Sequence, residues 1–131
     1  MKNSRKRQGA EEPTGAIVIR TIAMPADTNA SGDIFGGWLM SQMDIGGAVL
    51  AQQLARGHVI TAAVEGLAFI APVKVGDTVT CYARLAKRGR TSMHLALEAW
   101  ASRPGEATLQ QVAKGVYVYV FIDENGKPQE W

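Results

Sequence analysis

From Trp38 to about Ala55 almost every residue is apolar or small, and this stretch constrains the fold more than any other. Trp38, Leu39, Met43, Ile45, Val49, Leu50 and Leu54 recur at helical spacings, with Gly46, Gly47, Ala48 and Ala51 between them. Only Ser41, Gln42, Asp44, Gln52 and Gln53 interrupt the pattern. A helix that is apolar nearly all round is buried on most of its faces, so the remainder of the chain must wrap it. Asp44 is its one charged residue before Arg56, and Gly57 is placed to close the helix as a C-cap.

The remainder reads as strand. Ala16–Ile22 is β-branched and apolar, the composition of a strand. Pro25 to Gly37, with Asp27, Asn29, Ser31, Gly32, Asp33, Gly36 and Gly37, reads as a loop. Val59–Ile70, Thr78–Lys87, Thr91–Ala101 and Leu109–Ile122 are the later strands. Pro72 and Gly76-Asp77, then Arg88-Gly89-Arg90, then Arg103-Pro104-Gly105 separate them, and such short connections make antiparallel pairs. The expectation is a single α+β domain over 15–131, one long helix against an antiparallel sheet of about five strands. One helix covers only one face of such a sheet, and the strands are apolar at many consecutive positions. The other face or an edge is therefore expected to meet a second copy, giving at least a homodimer.

Composition excludes more than it selects. A length of 131 residues suits one domain, and a net charge of +2 is too small to argue for nucleic acid. Lys2, Arg5, Lys6 and Arg7, followed by Glu11 and Glu12, mark residues 1–14 as a solvated, disordered tail. No apolar stretch follows these charges, as a signal peptide requires, and no run approaches the ~20 residues of a membrane-spanning helix. Cys81 is alone, which excludes a disulfide framework within the chain and a cysteine-based metal site. The expectation is a cytoplasmic protein without metal, membrane or nucleic-acid partner.

Asp44 is the outlier among the titratable groups. Burying a carboxylate costs several kcal/mol unless it is paired or hydrogen-bonded. Either Asp44 bonds Ser41 or a nearby loop and fixes packing, or it is functional. The preceding loop favours function. Gly36 and Gly37 let backbone N–H groups approach a ligand at a helix N-terminus, where free donors and partial positive charge can hold an oxyanion. Asn29 offers an amide that can bind a carbonyl or orient water, and Thr61, on the next strand, is a candidate polar neighbour. Lys87, Arg88 and Arg90 flank Gly89 and precede Thr91 and Ser92, a combination suited to phosphate groups. Taken alone, that cluster reads more readily as an ordinary solvated hairpin. Other chemistries fail on inventory. His58 and His94 lie in no nucleophile motif, and no phosphate-loop or dinucleotide fingerprint exists.

At these residues the sequence resembles the bacterial acyl-CoA thioesterases of the YciA type, within the hotdog superfamily. The matching stretches are Asn29-Ala30-Ser31-Gly32-Asp33-Ile34-Phe35-Gly36-Gly37-Trp38 and Met40-Ser41-Gln42-Met43-Asp44-Ile45-Gly46-Gly47-Ala48, supported by Ala63-Val64-Glu65, Pro72-Val73-Lys74-Val75-Gly76-Asp77 and Gly89-Arg90-Thr91-Ser92. The resemblance covers roughly Ile17 to Lys127. It implies a hotdog fold, dimers joined edge to edge and assembled as homohexamers, and hydrolysis of acyl-CoA thioesters over a broad chain-length range with no cofactor. It also implies catalysis by Asp44 and Asn29 from different subunits, with Arg88, Gly89, Arg90, Thr91 and Ser92 holding CoA.

On this basis Asp44 is expected to act as general base or nucleophile, Asn29 to position water or thioester, and N–H groups near Gly36 and Gly37 to stabilise the oxyanion. The acyl chain would lie beside the helix against Met40, Met43 or neighbouring strand residues, although methionine at these positions reads first as plain core. A hotdog dehydratase would need a histidine on or near the helix, and this helix has none. An acyl-CoA-binding sensor would have no evident need for Asp44 and Asn29.

Overall fold

The computed structural model describes residues 11–131. It contains β1 (Ala16–Ile22), a short 3-10 turn (Pro25–Asp27), the helix α1 (Gly36–Ala55), β2 (Val59–Phe69), β3 (Thr78–Arg88), β4 (Ser92–Ser102) and β5 (Gln110–Phe121). The five strands form one antiparallel sheet in the order β1-β3-β4-β5-β2, and α1 lies across one face touching every strand. All expected elements are present within two residues of their expected ends. Of the tail, residues 1–10 lie outside the described residues. Thr14 is held to the sheet, its hydroxyl donating to Glu98 at 2.6 Å.

The apolar strands sort by face as the two-residue period requires. Met93, Leu95, Leu97 and Ala99 of β4 are buried beneath α1, while His94, Ala96 and Glu98 between them are partly exposed on the outer face. Composition hid this alternation, because Ala96 and the outward valines of β5 are as apolar as the core. α1 presses close to the sheet where it carries two glycines. A Cβ at Gly46 would lie 2.6 Å from Cγ2 of Val18, and one at Gly47 would lie 2.2 Å from the Tyr119 hydroxyl.

Two local expectations are corrected. The helix begins at Gly36, two residues early, so Gly36 and Gly37 form its first turn instead of ending the loop. At the other end Arg56, not Gly57, takes the left-handed C-cap conformation, with φ 59° and ψ 43°. Gly57 is reserved for packing, since a Cβ there would lie 2.7 Å from Cε1 of Phe121. Arg56 bears the strain of a side chain in the left-handed region, ~1 kcal/mol.

β2 forms one edge of the sheet and is exposed along nearly its whole length. Ile60 (47%) and Phe69 (50%) on it, and Ile45 (50%) on α1, are uncovered apolar side chains. A long apolar edge with unpaired backbone groups is a surface for another strand. Among the described residues no helix is long and apolar enough to cross a membrane.

Gly46→Ala should destabilise the fold by about 1–3 kcal/mol through overpacking against Val18, despite the better helix propensity of alanine. Urea unfolding followed by circular dichroism measures this, and an unchanged midpoint would mean that β1 yields freely.

Candidate active site

Asp44 sits midway along α1 with its side chain turned towards the β2–β5 border. Thr61 Oγ1 donates to Asp44 Oδ1 at 2.7 Å. The Tyr119 hydroxyl lies 3.0 Å from the same Oδ1 and 2.9 Å from the Asp44 backbone carbonyl, so its single proton is shared between two acceptors of one residue. Thr61 and Tyr119 face each other across the β2–β5 ladder. The second carboxylate oxygen, Oδ2, has no hydrogen-bond partner among the described residues. The carboxylate is therefore fixed in rotation by one oxygen and left free at the other. Neither Ser41 nor a loop takes part.

Tyr119 was not anticipated. Its signal lay in Val116-Tyr117-Val118-Tyr119-Val120-Phe121, where the two-residue period turns both tyrosines to one face. A buried tyrosine hydroxyl needs a partner, and the Gly46-Gly47 pair opposite is the gap through which one reaches the helix. Tyr117 does the same one turn earlier, donating to the Met40 carbonyl at 2.9 Å. Burial, then the Asp44 charge and its hydrogen bond, push the Tyr119 hydroxyl far above the ordinary tyrosine range. Burial, followed by Asp44 and Cys81, pushes Tyr117 up to about 12. Both remain neutral donors at physiological pH.

Asn29 is held by its own loop. Its Oδ1 accepts from the backbone N–H of Ser31 at 2.9 Å and of Asp33 at 3.2 Å, and an ion pair between Asp33 and Lys74 ties the loop to the body. With the oxygen occupied, the Nδ2 amide is what Asn29 can present, and it has no acceptor among the described residues. The Gly36 and Gly37 N–H groups likewise donate to no acceptor among the described residues, as expected for a first helical turn. Within one chain these groups do not meet Asp44. Seven to eight helical residues place Gly36 and Gly37 roughly 10–12 Å from it along the axis, and Asn29 makes no hydrogen bond to it.

The basic hairpin Arg88-Gly89-Arg90-Thr91-Ser92 closes β3 onto β4 with a Gly89 N–H to Ser92 carbonyl bond of 2.8 Å. One transverse row of the sheet runs Arg88, Met93, Tyr119, Thr61. The hairpin thus lies three strand spacings, about 14 Å, from Thr61. Met43 is core, while Met40 remains partly exposed. His58 is exposed, and His94 lies on the outer face with Nδ1 4.0 Å from Glu65.

One long helix laid across a five-stranded antiparallel sheet, with a carboxylate at mid-helix, is the hotdog arrangement. The profile of the Thioesterase superfamily matches residues 31–108, and the chain belongs to that superfamily, in its YciA-type acyl-CoA thioester hydrolase branch. The acyl-CoA thioester hydrolase YciA of Salmonella typhimurium is 53% identical over 120 residues, covering 89% of this chain and 90% of the relative. The hexameric thioesterase of Yersinia pestis is 50% identical with a TM-score of 0.88, covering 91% of this chain and 97% of that one. An acyl-CoA hydrolase of Staphylococcus aureus, solved with butyryl coenzyme A, coenzyme A and coenzyme A disulfide, is 28% identical with a TM-score of 0.80, covering 86% of this chain and 68% of that one. Alanine mutants of one asparagine, one aspartate and one threonine of that hydrolase have been solved. The three fall at the same sequence intervals as Asn29, Asp44 and Thr61.

Tyr117, Tyr119 and Cys81, the last raised by burial to about 12, all hold their protons more tightly in the fold than their ordinary values of 10.0 and 9.0. Groups with raised folded values contribute stability that is complete below the unfolded value and lost as pH rises through the folded one. The melting temperature should therefore fall as pH climbs above 9, most steeply towards 12. Thermal melts across this range, with Tyr119→Phe giving a shallower slope, check the assignment.

Proposed function

We propose that the chain hydrolyses acyl-CoA thioesters to the free acid and CoA over a broad chain-length range, as a homo-oligomer whose active sites combine two subunits. The observation that carries this is Asp44, with one carboxylate oxygen held by Thr61 and Tyr119 and the other free at a half-exposed site. The matching intervals of three residues altered in a CoA-binding relative support the same assignment. Hexameric relatives support assembly beyond the dimer. The reading places the protein in the cytoplasm, where CoA thioesters and reduced thiols such as the unpaired Cys81 coexist.

Distances within the chain support a two-subunit site. Nucleophile and oxyanion donors must both lie about 3 Å from the reacting atoms, yet one chain holds them two helical turns apart. Thr61, near the start of β2, touches Asp44. Phe69, at its end, packs its ring against Gly36. If two β2 edges pair antiparallel about a two-fold axis near Glu65, Thr61 stands beside the partner subunit's Phe69. The first turn of the second helix, with its asparagine loop, then approaches Asp44. This pairing also covers the apolar edge.

In such a site the thioester carbonyl oxygen points at the N–H groups of Gly36 and Gly37, and the Asn29 amide orients water or substrate. Asp44 Oδ2 takes a proton from water as the water oxygen adds to the carbonyl carbon. The negative charge collects on the carbonyl oxygen, where each donor stabilises it by about 3–4 kcal/mol. The tetrahedral adduct then collapses with cleavage of C–S, and the thiolate needs no strong acid to leave. In the alternative route Oδ2 attacks the carbon itself, expels the thiolate and leaves an anhydride for water to cleave. Single-turnover hydrolysis in oxygen-18 water tests for the second, because label enters Asp44 only when water cleaves such an anhydride at the aspartyl carbon. Arg88 and Arg90, with the hydroxyls of Thr91 and Ser92, hold the CoA phosphates.

Thiol release from acetyl- to palmitoyl-CoA tests the reading. Asp44→Asn should lower kcat at least about 100-fold while the protein stays folded, and Thr61→Val or Tyr119→Phe about tenfold each. Near wild-type turnover by folded Asp44→Asn would sink the assignment, and a folded wild type that binds but never cleaves acyl-CoA would make the chain a binding module. Mixed subunits of Asp44→Asn and Asn29→Ala should regain about one quarter of wild-type activity if each site draws on two chains. No recovery in verified mixed dimers would place both residues on one chain.

A further inference from the structure

We propose that Trp131 is a positioning residue that fixes Arg88 for the CoA phosphates and so sets the preference for substrates carrying the nucleotide end; this rests on the thioesterase reading above. After β5 the chain turns back on itself. Asp123 Oδ1 accepts the N–H groups of Asn125 at 2.8 Å and Lys127 at 2.9 Å, Ile122 pairs with Pro128, and the Gln129 N–H donates to the Phe121 carbonyl at 2.9 Å. This return brings Trp131 to the β3–β4 hairpin, where it is half-buried.

Trp131 grips the hairpin at both ends. Its Nε1 donates to the Ser92 carbonyl at 2.9 Å, the same oxygen that accepts the closing bond from Gly89. The Arg88 guanidinium lies 3.8 Å from the ring centroid and donates through Nη2 to the Trp131 carbonyl. A stacked guanidinium has its plane fixed, and with Nη2 directed at the Trp131 carbonyl the Nε and Nη1 donors stay available for phosphate. The Ser92 hydroxyl fills the crook of the same hairpin, where a Cβ on Gly89 would lie 2.2 Å from it. Arg90 is held differently, by Glu130 at 3.1 Å with both side chains well exposed, a contact that a phosphate can displace. Arg88 is thus the pre-organised cation of the hairpin, and Trp131 is what organises it.

The test compares an acyl-CoA with the corresponding acyl-pantetheine, which lacks the nucleotide, for wild type, Trp131→Ala, Trp131→Leu and Trp131→Phe. The Ala and Leu variants should raise KM for acyl-CoA about tenfold and leave kcat within about twofold, with acyl-pantetheine unaffected. Phe keeps a ring face and should restore KM; Leu keeps apolar packing without one. If Leu restores as well as Phe, or if Ala raises KM for both substrates alike, Trp131 only packs and the proposal falls. Should Ala fail to fold, the contrast between Phe and Leu decides. A wild type that cleaves neither thioester overturns the thioesterase reading instead. One that cleaves both with equal KM keeps that reading and removes any role for the hairpin and for Trp131.

Discussion

The hydroxyl of Tyr119, passing Gly47 to reach Asp44, is the contact on which the rest of the molecule depends. It is possible only because the helix has no side chain at Gly47, and it is needed because a buried tyrosine oxygen without a partner would cost about 1–3 kcal/mol. The bond sets the height of α1 above the sheet, its register along β5 and the orientation of the one carboxylate it carries. Packing and chemistry are therefore not separable here. The residue that seats the helix also supplies one of the two bonds to Asp44 Oδ1.

Much of this was legible in the sequence, for reasons that differ by residue. The apolar run around Asp44 announced the helix, and the turn residues at Gly76, Gly89 and Gly105 parsed the strands, because both signals are local; burial on most helix faces did not follow, since α1 buries only Leu39, Met43, Gly46, Gly47 and Ala51 and leaves Ile45 and Val49 exposed. Asp44 stood out because a charge inside an apolar helix needs compensation. Its partners did not stand out equally. Thr61 follows the helix directly and could be named as a neighbour, whereas Tyr119 lies far along the chain and reaches Asp44 only through the β2–β5 register. Gly57 misled for a related reason. Glycine at a helix end reads as a cap, but its smallness serves the ring of Phe121, a long-range contact invisible to local pattern.

Asn29 shows how a loop can prepare a group for a site it does not itself complete. Two backbone donors occupy its side-chain oxygen, which fixes the amide as a donor and excludes the flipped arrangement. The neighbouring N–H groups of the first helical turn are also uncommitted. The chain thus keeps three uncommitted donors at the loop and the start of α1, and a carboxylate two helical turns further along. The exposed β2 edge reaches both groups, with Thr61 on Asp44 at one end and the Phe69 ring against Gly36 at the other.

The same logic of divided labour extends to the far side of the sheet. Arg88 and Thr61 end one transverse row, with buried Met93 and Tyr119 between them. Rigid strands separate the Arg88 guanidinium from Thr61, the hydroxyl that holds Asp44, at a spacing fixed by backbone hydrogen bonds. Flexible arginine rotamers would waste that rigidity. The return of the chain after β5 restricts Arg88 by setting it over the Trp131 ring and against the Trp131 carbonyl.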